Sequence, residues 1–293
     1  MSIRGTTQLL GLIGDPVSHS VSPIMQNAAL LALDLDYVYL PFAVKPQDLP
    51  AAIMGLEAIG VQGFNVTIPH KQAVLNHLQQ IEAQAQSVGA VNTVYRCAIG
   101  HGWAGTNTDI AGFLHPLLSL SHQAKVPYSW SDCTALILGS GGAARAVIAA
   151  CVQLGIPTLQ VIGRSLAKLV ELQRIWPQVG IHLWSDLSKL LPHCRLLINT
   201  TPIGMQGKSA ALESPLSDQE IRVLPAAAIV YDLIYIPTPT PLLKTAAAAG
   251  YTCIDGLEML VQQGASALSL WLGGKPVPVD IMRQAAQQHL GLR

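Results

Sequence analysis

Charge is scarce in this chain. Only 12% of its 293 residues are charged, 17 Lys and Arg balance 17 Asp and Glu, and the formal net charge is zero. Without a basic block the electrostatic footprint of a nucleic-acid or anionic-membrane binder is missing, and neither is expected as a partner. Cysteine is sparse too. Cys97, Cys133, Cys151, Cys194 and Cys253 are odd in number and scattered, with no C-x-x-C spacing. That excludes a disulfide framework or a zinc site and points to buried free thiols in a reducing compartment. Long hydrophobic runs are lacking as well: the richest, around Val223 to Tyr231, stops at Asp232, short of a membrane span. Met1 to Gln8 has no apolar core of a signal peptide. No solenoid-length repeat or low-complexity tract appears, and a cytoplasmic protein is expected.

What the chain has is hydrophobic material, 50% of its residues, enough to fill one large or two ordinary domains. Its pattern alternates strand and helix. Gln8–Gly14 reads as a strand and Ser22–Leu33 as a helix, with Ser22 as N-cap and Pro23 in its first turn. A strand is expected at Tyr37–Val44, a helix at Pro46–Ile59, a strand at Val61–Ile68, a long helical stretch from His70 towards Gln86, and a strand at Ala90–Tyr95. The alternation restarts with strand Thr134–Leu138 and helix Ala143–Leu154, stopped by Gly155. Strand Leu159–Ile162 and a helix capped by Ser165 follow, with further strands at Ile181–Trp184, Leu196–Asn199 and Ile229–Leu233. The last helices are expected at Leu257–Leu272 and Val279–Leu290. Such repetition implies an α/β protein with parallel sheets and helices on both faces. Ser119–Asp132, polar and interrupted by Pro127, reads as a surface loop near a domain boundary.

Asn65-Val-Thr-Ile-Pro-His-Lys71 is the most pointed segment. A β-branched run projects Asn65 and Thr67, closes on Pro69 and parks the Lys71 ammonium two residues later. A second signal follows strand Thr134–Leu138 directly: Gly139-Ser140-Gly141-Gly142-Ala143-Ala144, a G-x-G-x-x-A loop that opens a helix. Gly139 permits the tight turn, Gly141 lets backbone approach a pyrophosphate, and Ala144 keeps helix and strand close. The helix start offers unpaired N–H groups and a positive dipole end to phosphate. The next strand ends Gly163-Arg164-Ser165-Leu166-Ala167-Lys168, with no acidic residue to hold ribose hydroxyls and two cations near one another. A carboxylate would repel a 2′-phosphate, whereas Arg164 can fork onto it, so NADP is the expected cofactor.

Four further segments carry polar groups at strand ends. Gly14-Asp-Pro-Val-Ser-His-Ser20-Val-Ser22-Pro23 holds two hydroxyls in one turn; Gly89-Ala-Val-Asn92-Thr93 and Gly105-Thr-Asn-Thr-Asp109 supply an amide and a carboxylate. With Asn65–Lys71 and the glycine loop, and with Asn199-Thr-Thr-Pro-Ile-Gly-Met205 and Gly256-Leu-Glu-Met-Leu-Val-Gln-Gln263, they resemble the shikimate dehydrogenase family over nearly the whole chain. The resemblance implies a two-domain oxidoreductase with substrate in the cleft between them: residues 1–112 with 257–293 for substrate, 113–256 a Rossmann-type domain for NADP. It implies that Ser20 and Ser22 bind a substrate carboxylate. Thr67, Lys71, Asn92, Asp109, Tyr235 and Gln263 match the other substrate positions, and Lys71 with Asp109 the catalytic pair. Cofactor positions map to Gly139, Ser140, Gly141, Gly142, Ala143, Gly163, Arg164, Ser165, Lys168, Leu233 and Gly256. Gly163 departs from the NADP-using pattern, which commonly has Asn there.

The implied reaction is reversible NADPH reduction of 3-dehydroshikimate to shikimate, a step towards chorismate and the aromatic amino acids, by a monomer or homodimer. Its chemistry suits the residue types. Oxidising a ring alcohol sends a hydride to the nicotinamide and a proton to the protein. A free Lys, with a pKa near ~10.4, is a poor base at neutral pH and a good proton donor and cation. Which of Lys71 and Asp109 accepts the proton stays open. So do two alternatives: an enzyme of mixed quinate and shikimate specificity, and a non-catalytic NADP-responsive binding module, which would need neither Lys71 nor Asp109.

Overall fold

The computed structural model describes residues 3–98, 101–123, 125–207 and 213–292. The chain divides into two compact units, Met1–Gly112 with Val261–Arg293, and Phe113–Leu260. Two helices, Asp109–His122 and Gly256–Trp271, carry the chain across these boundaries.

The first unit is built on six strands: β1 (Gln8–Gly14), β2 (Tyr37–Ala43), β3 (Gly63–Val66), β4 (Gln80–Ile81), β5 (Thr93–Arg96) and β6 (Trp103–Thr106), in the order β2-β1-β3-β5-β6-β4. Helices Ser22–Ala32 and Leu49–Ala58 make the crossovers that leave β2, β1 and β3 parallel. Beyond β3 the sheet is mixed, unlike the parallel arrangement expected: β5 runs antiparallel to both β3 and β6. The short, helix-free connection from β5 to β6 permits only an antiparallel pair. One core holds Ile53, Leu56, Phe64, Val66, Val94 and Trp103, with the Phe64 and Trp103 rings edge to face at 4.9 Å. The helix carrying Gln263 packs on this sheet, where Trp271 Nε1 donates to Val94 O at 2.9 Å. A Cβ at Gly63 would lie 2.1 Å from that indole nitrogen, so only glycine lets the ring sit there.

The long helix expected from His70 to Gln86 is broken. Ala73–His77 forms a 3-10 turn, Gln80–Ile81 forms β4, and only Ala83–Val88 is α-helical. Gln79 N donates to Trp103 O, Glu82 N to Gly105 O, and β4 pairs with β6. Covering that edge outweighs the helical preference of a Gln- and Ala-rich run, because an uncovered ladder leaves backbone groups unpaired.

The second unit holds β7 (Thr134–Leu138), β8 (Thr158–Gly163), β9 (Gly180–Leu183), β10 (Leu196–Asn199), β11 (Ile229–Asp232) and β12 (Thr252–Ile254), in the order β12-β11-β10-β7-β8-β9. All neighbours are parallel. Counted within the unit this is 3-2-1-4-5-6, the doubly wound dinucleotide-binding order, with the reversal beside its first strand. Leu136, Leu138, Ile162, Leu197, Val230 and Leu242 share one core. The loop expected at Ser119–Asp132 begins later than supposed, since the helix from Asp109 runs to His122 through Pro116. Ile110, Phe113, Leu114 and Leu117 are buried at helical spacing and hold it together across the proline.

Candidate active site

In the first unit the ends of β1, β3 and β5 gather polar side chains. A Cβ at Gly14 would fall 2.3 Å from Thr67 Cγ2, so the glycine lets the exit of β1 pass against the exit of β3. Thr67 N donates to Ile13 O at 2.9 Å and Asp15 N to Ile68 O at 3.0 Å. The serine turn and Thr67 therefore leave from neighbouring strand ends. Ser22 is not the N-cap expected: Val21 takes that position without a side-chain cap bond, and Ser22 is the first helical residue. Its N–H is met by Ser20 Oγ at 3.3 Å, so Ser20 does the local work and the buried Ser22 hydroxyl is not committed to a cap.

Lys71 follows β3. Its Nζ bonds Asp109 Oδ2 at 2.6 Å, with the two side chains 30% and 14% exposed. Asn92 Nδ2 donates to the other carboxylate oxygen at 2.7 Å, to Thr108 Oγ1 at 3.0 Å and to Gln263 Oε1 at 3.4 Å. Lys71, Asn92, Asp109 and Gln263 thus form one connected cluster, partly open to solvent through the lysine. Two supporting residues escaped sequence reasoning. Asn107 accepts Asp109 N at 3.0 Å and donates to Ala90 O at 2.9 Å, fixing the start of the Asp109 helix. His70, 1% exposed, bonds Val44 O at 2.6 Å and ties the Lys71 loop to the segment after β2. The polar run Gly105–Asp109 held the signal for Asn107; His70 read only as the first residue of the expected helical stretch.

In the second unit Gly139, at φ +107°, turns the chain out of β7, and a Cβ there would meet Thr200 Oγ1 at 2.6 Å. Gly141 precedes helix Gly142–Gln153 with no side-chain cap. Gly141, Gly142 and Ala143 are exposed, and around both glycines nothing lies within 4 Å of a Cβ position. Open first-turn N–H groups at such a helix start suit an anion. Gly139 N bonds Ile162 O at 2.8 Å, which sets this loop beside the end of β8. There Arg164 and Lys168 are exposed, and Ser165 caps its helix through Lys168 N. A Cβ at Gly163 would press to 3.0 Å of Ser140 Oγ and 3.2 Å of Leu169 Cδ2, so the departure from Asn fits the packing here. The buried Arg145 pairs with Glu171 and clamps the two helices that frame this edge. Gly256 is needed for close approach: a Cβ would lie 2.0 Å from Leu233 O. Tyr235, half-buried after β11, has its phenol pushed above the usual value by burial.

Asp232, at the end of β11, is fully buried and carries no functional signal in the sequence. It accepts from Asn199 Nδ2 at 3.0 Å, Ile234 N at 3.1 Å and Thr240 Oγ1 at 2.7 Å. Burial outweighs these bonds and raises the carboxyl from 3.8 to about 6. The native state then holds its proton more tightly than the unfolded chain. Stability from this group is complete below the unfolded value and falls as pH rises through the folded one, by about 3 kcal/mol. Asp232→Asn keeps an oxygen for Asn199 and Ile234 while the Thr240 hydroxyl turns to accept. We expect urea titrations at pH 4 and pH 7 to differ less for Asp232→Asn than for wild type; an identical difference would place the titration on another group.

A parallel sheet of dinucleotide-binding order with an open phosphate loop, carried on one chain with an amine–carboxylate cluster, defines a nucleotide-dependent oxidoreductase. Comparison narrows the class. A family model of the shikimate dehydrogenase substrate binding domain matches residues 12–94, and one of the shikimate 5′-dehydrogenase C-terminal domain matches residues 256–287. The shikimate dehydrogenase (NADP(+)) of Synechococcus sp. (strain JA-3-3Ab) is 59% identical over 289 residues, covering 98% of this chain and 96% of that one. The shikimate dehydrogenase of Aquifex aeolicus superposes with a TM-score of 0.86 at 34% identity, over 98% of this chain and 100% of its own. The Thermus thermophilus enzyme, solved with NADP(H) and shikimate, gives 0.83 at 32% identity, over 96% of this chain and 99% of its own. The chain belongs to the shikimate dehydrogenase family. Among the described residues no helix is long and apolar enough to cross a membrane.

Proposed function

We propose that this protein reversibly reduces 3-dehydroshikimate to shikimate with NADPH, in the cytoplasm, as a step towards chorismate and the aromatic amino acids. The observation that carries the proposal is the Lys71–Asp109 pair at 2.6 Å with Asn92 on its free carboxylate oxygen, in a chain alignable almost end to end with NADP-dependent relatives. Residues 1–112 with 257–293 serve the substrate and residues 113–256 the cofactor, in a monomer or homodimer.

Bound NADP supplies the hydride acceptor for alcohol oxidation, and NADPH the donor for the reverse. The chain's own residues bind, orient and move one proton. In reduction, the oxygen that becomes the ring hydroxyl gains negative charge as hydride arrives, and the Lys71–Asp109 pair delivers a proton there. The Lys71 ammonium stabilises the developing alkoxide, Asp109 holds that ammonium in place, and Asn92 directs a ring hydroxyl. Ser20 and Ser22 hold the substrate carboxylate, with Thr67, Tyr235 and Gln263 on its remaining polar groups. For the cofactor, the stretch Gly139, Ser140, Gly141, Gly142 and Ala143 receives the pyrophosphate. Arg164, Ser165 and Lys168 take the 2′-phosphate beside Gly163, and Leu233 with Gly256 lines the nicotinamide end.

Ser20→Ala and Ser22→Ala should each raise KM for shikimate, roughly 10- to 100-fold, because a hydroxyl bonded to a carboxylate contributes about 1.5–3 kcal/mol. kcat should change far less. Unchanged KM in both variants would remove the serines from the site. The activity itself is tested by incubating purified protein with 3-dehydroshikimate and NADPH and identifying the product; failure to form shikimate refutes the proposal.

A further inference from the structure

Thr93 opens β5 and is 0% exposed, in register with Asn65 of β3 on one side and Thr106 of β6 on the other. Valine has nearly the same shape and suits a buried strand without the cost of desolvating a hydroxyl. A hydroxyl at such a position is tolerated when it is bonded, and this one is bonded three ways. It accepts from Asn65 Nδ2 at 3.1 Å, donates to Asn92 Oδ1 at 3.0 Å, and lies 3.1 Å from Thr108 Oγ1.

We propose that Thr93 is a positioning residue: it holds the Asn92 amide in the orientation that presents Nδ2 to Asp109, and so fixes the carboxylate paired with Lys71. The inference rests on the reading of Lys71 and Asp109 as the proton-exchanging pair.

Groups with only one possible role set the amide orientations. The Asn92 carbonyl can only accept, so Asn65 turns Nδ2 towards it at 3.1 Å and takes the Tyr39 hydroxyl on Oδ1 at 2.7 Å. Thr108 N–H can only donate, and it reaches Asn92 Oδ1 at 2.8 Å. The bonds then run in one sense. Tyr39 OH donates to Asn65, Asn65 to Thr93, Thr93 to Asn92, and Asn92 to Asp109, whose second oxygen takes Lys71. Hydrogen bonds aligned in a dry interior strengthen one another, and Tyr39, Asn65, Asn92, Thr93 and Thr108 are all buried.

Thr93 matters because Asn92 has a choice. Its two amide hydrogens face three acceptors, Asp109 Oδ1 at 2.7 Å, Thr108 Oγ1 at 3.0 Å and Gln263 Oε1 at 3.4 Å. A small twist of the amide would take a hydrogen from the carboxylate. Oδ1 is held by the Thr108 backbone at 2.8 Å and Thr93 Oγ1 at 3.0 Å, with Thr108 Oγ1 further off at 3.2 Å, and losing the Thr93 bond loosens the hold against that twist.

The test compares Thr93→Val and Thr93→Ser with wild type and with Lys71→Ala, reading kcat/KM for shikimate, KM for NADP and thermal midpoint. Thr93→Val should lower kcat/KM for shikimate about tenfold, the rate equivalent of one hydrogen bond, while KM for NADP stays at the wild-type value. Thr93→Ser, which restores the hydroxyl, should recover most of the loss. Wild-type kcat/KM in Thr93→Val, or Thr93→Ser as impaired as Thr93→Val, overturns the inference, the second by assigning the effect to shape. Should Thr93→Val fail to fold, Tyr39→Phe removes only the hydroxyl that orients Asn65; a smaller loss in the same direction supports the chain of bonds, and wild-type kinetics refutes it. Lys71→Ala at wild-type rates would refute the underlying reading of the pair, whatever Thr93 does.

Discussion

Lys71→Ala is expected to lower kcat by roughly 10²–10⁴, the usual worth of a positioned proton-transfer group, with a much smaller change in KM for shikimate. The geometry supports a loss of that size. Removing the amine takes away the cation 2.6 Å from Asp109 and leaves the carboxylate with Asn92 and no charge partner where an alkoxide must form. In the proposed site, substrate binding is shared with Ser20, Ser22, Thr67, Asn92 and Gln263, while the Lys71 amine bonds Asp109, so KM should hold. Lys71→Arg should be a poor rescue for the same reason: a guanidinium keeps the charge but cannot give up its proton at working pH. Steady-state rates over a range of shikimate concentrations check both statements. A Lys71→Ala enzyme with near wild-type kcat would move the chemistry elsewhere.

Arg164→Ala carries the second largest expected effect, on cofactor choice. Nothing acidic stands in the segment from Gly163 to Lys168, and Arg164 and Lys168 are exposed next to the open helix start at Gly142. A charged hydrogen bond to a 2′-phosphate contributes about 1.5–3 kcal/mol, so Arg164 should account for roughly 10- to 100-fold of the preference for NADP over NAD. Lys168, a hydrated point charge on a flexible stem, should add less. Gly163 offers no side chain to the adenosine end, and crowding by Ser140 and Leu169 resists putting one there, so the preference should be clear without being absolute. kcat/KM for both cofactors in wild type and Arg164→Ala decides this. A variant that keeps the full preference would show that the end of β8 does not choose the cofactor.

Elements with strong local signals were legible in the sequence. β1, β7 and β10 have the expected bounds, because each is a β-branched or leucine-rich run stopped by a glycine or a polar turn. β6 and β12 were not anticipated. Four and three residues long, they owe their existence to partners in the sheet, which local pattern does not record. The His70–Gln86 stretch misled for the same reason, since its helical composition yields to the pairing of β4 with β6. The parallel sheet expected for the first half is mixed because β5 and β6 are joined without a crossover. At the site, motif residues such as Lys71, Asn92 and Asp109 could be named from sequence, and the structure brings them together with Gln263. What could not be named is what holds them. Asn107, His70 and Thr93 act through hydrogen bonds to backbone or to other side chains, and such bonds depend on register. Asp232 was missed because a strand-end Asp is ordinarily solvated, and only the packing of Asn199 and Thr240 around it makes it a buried carboxyl.

One measurement tests the central claim most directly: initial rates of reduced-nicotinamide formation by the purified wild-type protein with shikimate or quinate, each with NADP or NAD. We expect shikimate with NADP to give the highest kcat/KM of the four, with one 3-dehydroshikimate formed per NADPH. Quinate turned over as well as shikimate, or no turnover of shikimate with either cofactor, would contradict the account.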